Sequence, residues 1–440
     1  MTPLKIFVVD RVPLANKGEE AIIRGIEDLL ADKERPIELA VFDRTDKTYR
    51  LGNITAFPVT WAFYDWGWLS RRATSFVTRY IKAGKRKALI YWRSLRIRYG
   101  LLGPYGRIAA SRDGLHAEMA QFFAAADYVL VGHDGLFNFE HCGILSVAKQ
   151  KGKRSGVLGA GGKGFRPRNG LVAAVYRQAV RESDFFVVRE RGAYEELARI
   201  GCDMNRVRLA PDPAFAMKPS SRQEVEALLS EKPWFHRARE EGKLILGITV
   251  SHKEILLKKP FAHGQSRDER IRLHTEYLAQ IYNDIMEKGH VFLVFLPHSL
   301  EGGARNDLAA AKGVASLLKA SQDSFCVLED DLPARTWKGI IGELDFLVGQ
   351  RAHSLIGSAA VATPFVALTA SNDRRTHDIL GDMCGCEAQM VNMDECDPEH
   401  AAERILQSLD NRKALRSHLA LKMNEFTEAL EEIRRLVKGL

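Results

Sequence analysis

The amino-acid sequence predicts an α/β protein built from two Rossmann-like domains facing a cleft, with closing helices at the C-terminus. Three observations predict it. Short β-branched and aromatic runs alternate with helical stretches, the pattern of βα units around a mostly parallel sheet. That pattern stops at a polar stretch from Lys218 through Glu241 and then starts again. The 440 residues are also too many for one small core, which makes two domains the leading expectation.

In the first half, strands are expected at Leu4 to Val9, Ile37 to Phe42, Tyr128 to Val131, Gly156 to Leu158, Phe185 to Val188 and Val207 to Ala210. Beyond Pro211-Asp212-Pro213, the second set is Leu244 to Val250, Val291 to Leu296, Phe325 to Leu328, Phe346 to Val348 and Phe365 to Leu368. From Pro398 onward, apolar residues at helical spacing (Ile405, Leu409, Leu415, Leu419, Phe426, Leu430, Ile433) predict the closing helices. The expected boundaries are 1–218 for an N-terminal Rossmann-like domain, 219–241 for a linker, and 242–440 for a C-terminal domain with its helices.

Composition narrows the function classes. No run of about 18 uncharged apolar residues is present to cross a bilayer, and the first ten residues read as a strand rather than a secretion signal. Six cysteines in so long a chain give no disulfide framework, which fits a reducing compartment. A cytoplasmic protein is expected. The net charge of +8 is unevenly spread: residues 66–112 hold twelve Lys and Arg and no Asp or Glu, leaving 52 basic against 56 acidic residues elsewhere. Aromatics (Trp66, Trp68, Phe76, Tyr80, Tyr91, Trp92, Tyr99) interleave with those cations. The segment reads either as a solvated insertion or as a surface for a phosphorylated acceptor or for anionic lipid headgroups at the inner face of the membrane. No nucleic-acid motif accompanies it, and no nucleic-acid partner is expected.

Ligands in open α/β sheets sit at the carboxyl ends of strands, so the loops there carry the candidate chemistry. Asn16-Lys17-Gly18-Glu19-Glu20 follows the first strand and opens a helix: Asn16 can accept from N-terminal amides, Gly18 permits close approach, and Glu19 and Glu20 suit the first turn. Gly132-His133-Asp134-Gly135 follows the strand ending at Val131, where His133 and Asp134 can act on a proton. Gly159 to Gly164 is glycine-rich but lacks the phosphate-loop pattern. In Val188-Arg189-Glu190-Arg191, an arginine lies at a strand end beside a helix N-terminus, a sound anion site; the sequence leaves open whether Arg189 or Arg191 faces the cleft. The strongest element is Gly349-Gln350-Arg351-Ala352-His353-Ser354, in which a buried strand delivers an arginine for an anion, a histidine that exchanges protons near neutrality, and Ser354 at a helix start. Glu329-Asp330-Asp331 reads as an acidic turn, and Cys384, Cys386, Cys396 and His377 are too irregularly spaced for a zinc site, so no metal is expected.

Read in order, these loops resemble the polysaccharide pyruvyltransferase family, whose pattern of N-x-G-D-E-A, a glycine-rich turn, R-D with a helix ending L-G, P-D-P-A-F and R-x-H-S-x-I is similar to Asn16 to Ala21, Gly132 to Gly135, Arg189 to Gly201, Pro211 to Phe215 and Arg351 to Ile356. The similarity spans most of the chain and omits residues 66–112. Glu19, Glu190 and the His133-Asp134 pair depart from the family's Asp, Asp and glycines. The resemblance implies a GT-B-like fold that uses phosphoenolpyruvate as co-substrate, with no other cofactor, and a glycan or lipid-linked oligosaccharide as acceptor on the N-terminal side. It implies Arg351 and Arg189, with Ser354, as donor ligands, and His353 and less directly His133 as acid or base. Asn16, Gly18, Glu19, Glu20, Gly132, Asp134 and Gly135 are then acceptor or loop positions. Two other readings remain: a GT-B glycosyltransferase using a nucleotide sugar, and a non-catalytic sugar-binding protein of the same fold.

Overall fold

In a computed structural model, the structure describes all residues except 1, 32–33, 44, 46, 59–93, 95–113, 134–138, 163–166, 168–169, 252–265 and 302–305. The basic stretch 66–112, apart from Ser94, and the predicted site residues Asp134 and Gly135 therefore lie outside the described residues. The chain divides into two compact units, one of Met1–Pro13, Leu29–Ala210 and Glu431–Leu440, the other of Leu14–Asp28 and Pro211–Leu430.

The first unit is built on an eight-stranded sheet. In chain order its strands are β1 (Leu4–Arg11), β2 (Ile37–Asp43), β3 (Tyr49–Leu51), β4 (Ile54–Pro58), β5 (Tyr128–Gly132), β6 (Arg154–Ala160), β7 (Phe185–Val188) and β8 (Val207–Leu209). They lie in the order β3-β4-β2-β1-β5-β6-β7-β8, all parallel except the β3–β4 hairpin. Six of these strands follow from the apolar runs. The hairpin is an addition to them, because β3 has three residues and pairs only at the sheet edge, turning through Gly52 at φ 62°. Phe7, Val9, Val129, Val131, Val157, Phe186 and Val188 fill the core against helices Glu140–Gln150 and Gly170–Glu182. The last ten residues belong here too: Arg154 donates to the carbonyls of Val437 and Leu436, and Arg434 to that of Ala31.

The second unit has six parallel strands, β9 (Leu244–Thr249), β10 (Val291–Phe295), β11 (Phe325–Val327), β12 (Phe346–Gly349), β13 (Phe365–Thr369) and β14 (Met390–Asn392). Their order, β11-β10-β9-β12-β13-β14, is that of a doubly wound dinucleotide-binding sheet, whose strand order reverses between β9 and β12. The three-residue β14 is too short for periodicity to mark. Leu246, Ile248, Leu293, Phe295, Phe346 and Val348 face one side, packed by Tyr277, Leu278, Ile281 and Tyr282 of helix Arg267–Lys288 and by Ala401, Ile405 and Leu409 of helix Pro398–Asp410, and the alternate residues Ile245, Phe292, Val294 and Leu347 are buried as well. Continuous burial explains why these strands are unbroken apolar runs. Within the polar stretch 219–241, helices Arg222–Ser230 and Pro233–Glu240 form; Ser221 and Glu224 make a reciprocal capping box on the first. The final helix, Arg412–Lys438, follows the expected apolar spacing. No helix among the described residues is long and apolar enough to cross a membrane.

Candidate active site

The second unit gathers three of the sequence motifs around the carboxyl ends of β9 and β12. Gly349 closes β12 because a Cβ there would lie 2.8 Å from the Thr249 hydroxyl of the neighbouring strand. Two residues later the chain turns into helix Ala352–Ala360, and the Ser354 hydroxyl fastens that turn by donating to the Arg351 carbonyl at 2.8 Å while lying 2.9 Å from Thr249 Oγ1. Ser354 exposes no surface, so its observed work is to hold the strand-to-helix turn.

Arg351 leaves this turn toward Asp307, the buried first residue of helix Asp307–Ala315. Its Nε donates to Asp307 Oδ2 at 2.9 Å and its Nη2 donates to Oδ1. The amides of His298 and Ser299 also donate to that carboxylate, at 3.2 and 2.9 Å. Burial pushes the Asp307 carboxyl above the usual range, and Arg351 with the two amides pulls against it. The guanidinium is thus held as a fork on one carboxylate, with Nη1 making no hydrogen bond among the described residues. His298 follows β10, with its ring centroid 5.8 Å from that of Trp337. Burial, helped by the charges of Arg351 and Lys17, pushes its imidazole down to about 4, so it is neutral at pH 7.

Helix Lys17–Leu30 brings the first motif to the same place. As expected, Asn16 caps it: Oδ1 accepts from the Gly18 amide at 3.1 Å, and the Asn16 carbonyl accepts from the amides of Glu19 and Glu20. The Lys17 amide donates to the His298 carbonyl at 2.8 Å, and its ammonium meets Asp331 at 2.6 Å. Glu20 is buried, its pKa raised by desolvation, and accepts from the Ala334 amide at 3.3 Å; Glu19 is half-buried. Two glycines seven residues apart share one helix face. A Cβ on Gly18 would lie 2.5 Å from His353 Nδ1, and one on Gly25 would lie 1.9 Å from the Pro213 carbonyl oxygen. Helix Lys17–Leu30 therefore lies directly against both His353 and the Pro211 to Phe215 motif.

That motif supplies the other side of His353. Asp212 is fully buried, caps the short turn Pro213–Phe215 by accepting from the Ala214 amide at 2.8 Å, and presents Oδ2 3.9 Å from His353 Nε2. In the sequence Asp212 figures only as part of a signature. Asp307 and His298 carry no local signal at all. Each of the acidic residues Glu329, Asp330 and Asp331 has a lysine partner (Lys312, Lys232 and Lys17), which accounts for the acidic turn. Among the described residues no group of three or more His, Cys, Asp or Glu is placed to hold a metal ion, and the six cysteines are thiols.

The remaining candidates lie in the first unit, where the strand order reverses between β1 and β5. Asp10 near the end of β1 accepts from the Gly132 amide at 2.6 Å and lies 3.5 Å from His141 Nδ1. His133 takes the left-handed backbone at φ 91°, a strained geometry for a side-chain-bearing residue, and its carbonyl accepts from the Gly161 amide. Arg189 exposes no surface and lies 3.8 Å from Glu190, which accepts from the Gly162 amide at 2.9 Å. Arg191, at the start of helix Arg191–Arg199, is exposed.

Comparison with known proteins agrees with this picture. In fold, the chain is similar to MnaA of S. aureus in its UDP complex, at 13% identity and a TM-score of 0.53, covering 99% of this chain and 96% of that one. It is similar to an α,α-trehalose-phosphate synthase (UDP-forming) from Burkholderia vietnamiensis, at 12% identity and 0.50, covering 100% and 99%. A UDP-GlcNAc 2-epimerase from Neisseria meningitidis gives 11% and 0.50 over the full length of both chains. At such identities the likeness is one of fold, and it makes the chain GT-B-like. No curated protein sequence matches it. The sequence model for polysaccharide pyruvyl transferase matches residues 16–372, a span that contains Asn16, Asp212, Arg351 and His353, and the chain belongs to that family of enzymes.

Proposed function

We propose that this pyruvyltransferase takes the enolpyruvyl group from phosphoenolpyruvate and attaches it as a cyclic ketal to a sugar of a bacterial polysaccharide or of its lipid-linked precursor. The observation that carries the reading is the pairing of Arg351 and His353 on one turn at the strand-order reversal of the second sheet. Arg351 Nη1, on a guanidinium already fixed by Asp307, supplies a preorganised donor for carboxylate or phosphate. His353 supplies the proton.

The bonds balance as follows. C3 of the donor takes a proton from His353, leaving C2 with oxocarbenium character. One sugar hydroxyl bonds to C2, the C2–O bond to phosphate breaks, and a second hydroxyl closes the ring at C2. Of the two hydroxyl protons released, one replaces the proton given to C3 and the other leaves with phosphate. General acid help of this kind is typically worth ~10²–10⁴-fold. Phosphoenolpyruvate acts as co-substrate, and the reading invokes no other cofactor. It places the reaction in the cytoplasm, where this donor is available.

Incubating the protein with phosphoenolpyruvate and a panel of lipid-linked or synthetic glycosides tests it. The expected product is heavier by pyruvate less water, with one phosphate released per transfer. Transfer from a nucleotide sugar instead, or thermal stabilisation by nucleotide sugars and not by phosphoenolpyruvate, contradicts it. Residues 66–112 are the part of the sequence we assign to a membrane-borne acceptor. Changing Lys85, Arg86 and Lys87 together to Glu is expected to abolish salt-sensitive sedimentation with anionic vesicles; unchanged sedimentation rejects that assignment.

A further inference from the structure

Lys338 is a buried lysine that makes no ion pair within 4 Å among the described residues; burial pushes its pKa down to about 7, and Asp28 favours its charge from farther off. It sits in helix Ala334–Gly342 with 3% of its surface exposed, and its ammonium donates to three backbone carbonyls, those of Ala214 at 3.3 Å, Phe215 at 3.2 Å and Met217 at 2.5 Å. A lysine is rarely buried without an ionic partner, because desolvating an ammonium is costly unless its donors are met. These carbonyls lie within and just beyond the Pro213–Phe215 turn, where a helix runs short of its own amide donors, although that of Ala214 also accepts from the Met217 amide. At the other end of that turn stands Asp212, which faces His353 across 3.9 Å. The turn is thus held at both ends, by a side-chain cap at its start and by an ammonium at its finish. Gly25 of helix Lys17–Leu30 backs it so closely that no side chain fits between.

We propose that Lys338 is a positioning residue for His353: by tying down the carbonyl end of the Pro213–Phe215 turn, it fixes Asp212 against the imidazole. Asp212 in turn limits the orientations of that ring, whose opposite side rests on Gly18. Lys338 touches no substrate in this scheme. It acts through two intermediaries, and its effect depends on His353 being the proton donor, so the inference rests on the functional reading above.

The experiment is a double-mutant cycle on the full chain, with turnover and the KM for phosphoenolpyruvate measured for Lys338→Met, His353→Asn and the double variant. Lys338→Met is expected to lower kcat by about 10-fold while changing KM less than about 2-fold, since the proton donor is misplaced and the anion donor Arg351 is not. In the His353→Asn background the same change is expected to cost less than about 2-fold, because the group it positions is already gone. Equal losses of kcat in the two backgrounds would mean a merely structural lysine and overturn the inference, as would unchanged kcat in the single variant. Should Lys338→Met not fold, Lys338→Gln, which keeps two N–H donors without the charge, takes its place in the same cycle with the same criteria. Full turnover in His353→Asn alone overturns the reading beneath the inference, and that arm is read separately.

Discussion

The two sheets handle the point where their strand order reverses in different ways. In the second unit, Arg351 keeps 20% of its side chain exposed while its fork is held by Asp307, and His353 lies in a niche made by Gly18 and Asp212. In the first unit, Arg189 has no exposed surface, and Asp10 is bonded to the Gly132 amide and close to His141. The difference teaches that an arginine at a strand end can serve two ends. Held by one edge and open at another, as Arg351 is, it can meet an anion; buried, as Arg189 is, it lies beside the carboxylate of the next residue. The fork held on Asp307 preorganises Arg351 for a ligand in the sense that matters for catalysis.

Substituting the two arginines breaks the comparison most directly. Arg189→Met is expected to destabilise the protein by about 3–5 kcal/mol in denaturant unfolding, since it leaves Glu190 buried beside an apolar group. Arg351→Met also strands a buried carboxylate, Asp307, but its larger signature should be donor binding weakened by about 2–4 kcal/mol. Lysine at 351 should restore only part of that, because it cannot reproduce the fork. Equal effects of the two substitutions on donor affinity would erase the distinction drawn here.

The two glycines of helix Lys17–Leu30 sharpen it. Gly25→Ala drives a methyl group into the Pro213 backbone carbonyl and is expected to cost about 1–3 kcal/mol of stability. Gly18→Ala meets His353 instead, at Nδ1, Cγ and Cβ, so the whole residue must shift; turnover should fall by about 10-fold. A Gly18→Ala protein with unchanged turnover would show that the position of the His353 ring is unimportant.

The smallest effect concerns pH. His298 titrates near 4 in the folded protein against about 6.5 for an ordinary imidazole, so between those values the unfolded chain binds a proton that the folded one refuses. Stability is therefore lost as pH falls from about 6.5 toward 4. His298→Gln should flatten that slope in urea unfolding measured across the window, and an unaltered slope would contradict a neutral buried His298.

Much of the fold and part of the site are legible in the sequence, and particular residues show why. Arg351, His353 and Asn16 stand at the junction of an apolar run and a capped helix, so periodicity and capping chemistry suffice to locate them. The eleven expected strands all form, whereas β3, β4 and β14 escape detection: β3 and β14 have only three residues each, and β4 is the five-residue run Ile54–Pro58, which ends on a proline. Asp307 partners Arg351 from 44 positions away and Lys338 meets its carbonyls from more than 120 away; neither sits in a motif, and nothing local marks a lysine as buried. Asp212 is visible as a letter in Pro-Asp-Pro-Ala-Phe, while its role as the neighbour of His353 depends on tertiary packing.

The central claim is that His353 moves the proton while Arg351 holds the donor, and the pairing of turnover with donor affinity in His353→Asn tests it most directly. Asparagine keeps a polar side chain of similar reach but exchanges no proton near neutral pH. The account predicts turnover lower by ~10²-fold or more, with phosphoenolpyruvate affinity by calorimetry nearly unchanged. A folded His353→Asn protein of unaltered stability that retains full turnover would contradict it and move the acid role toward His133.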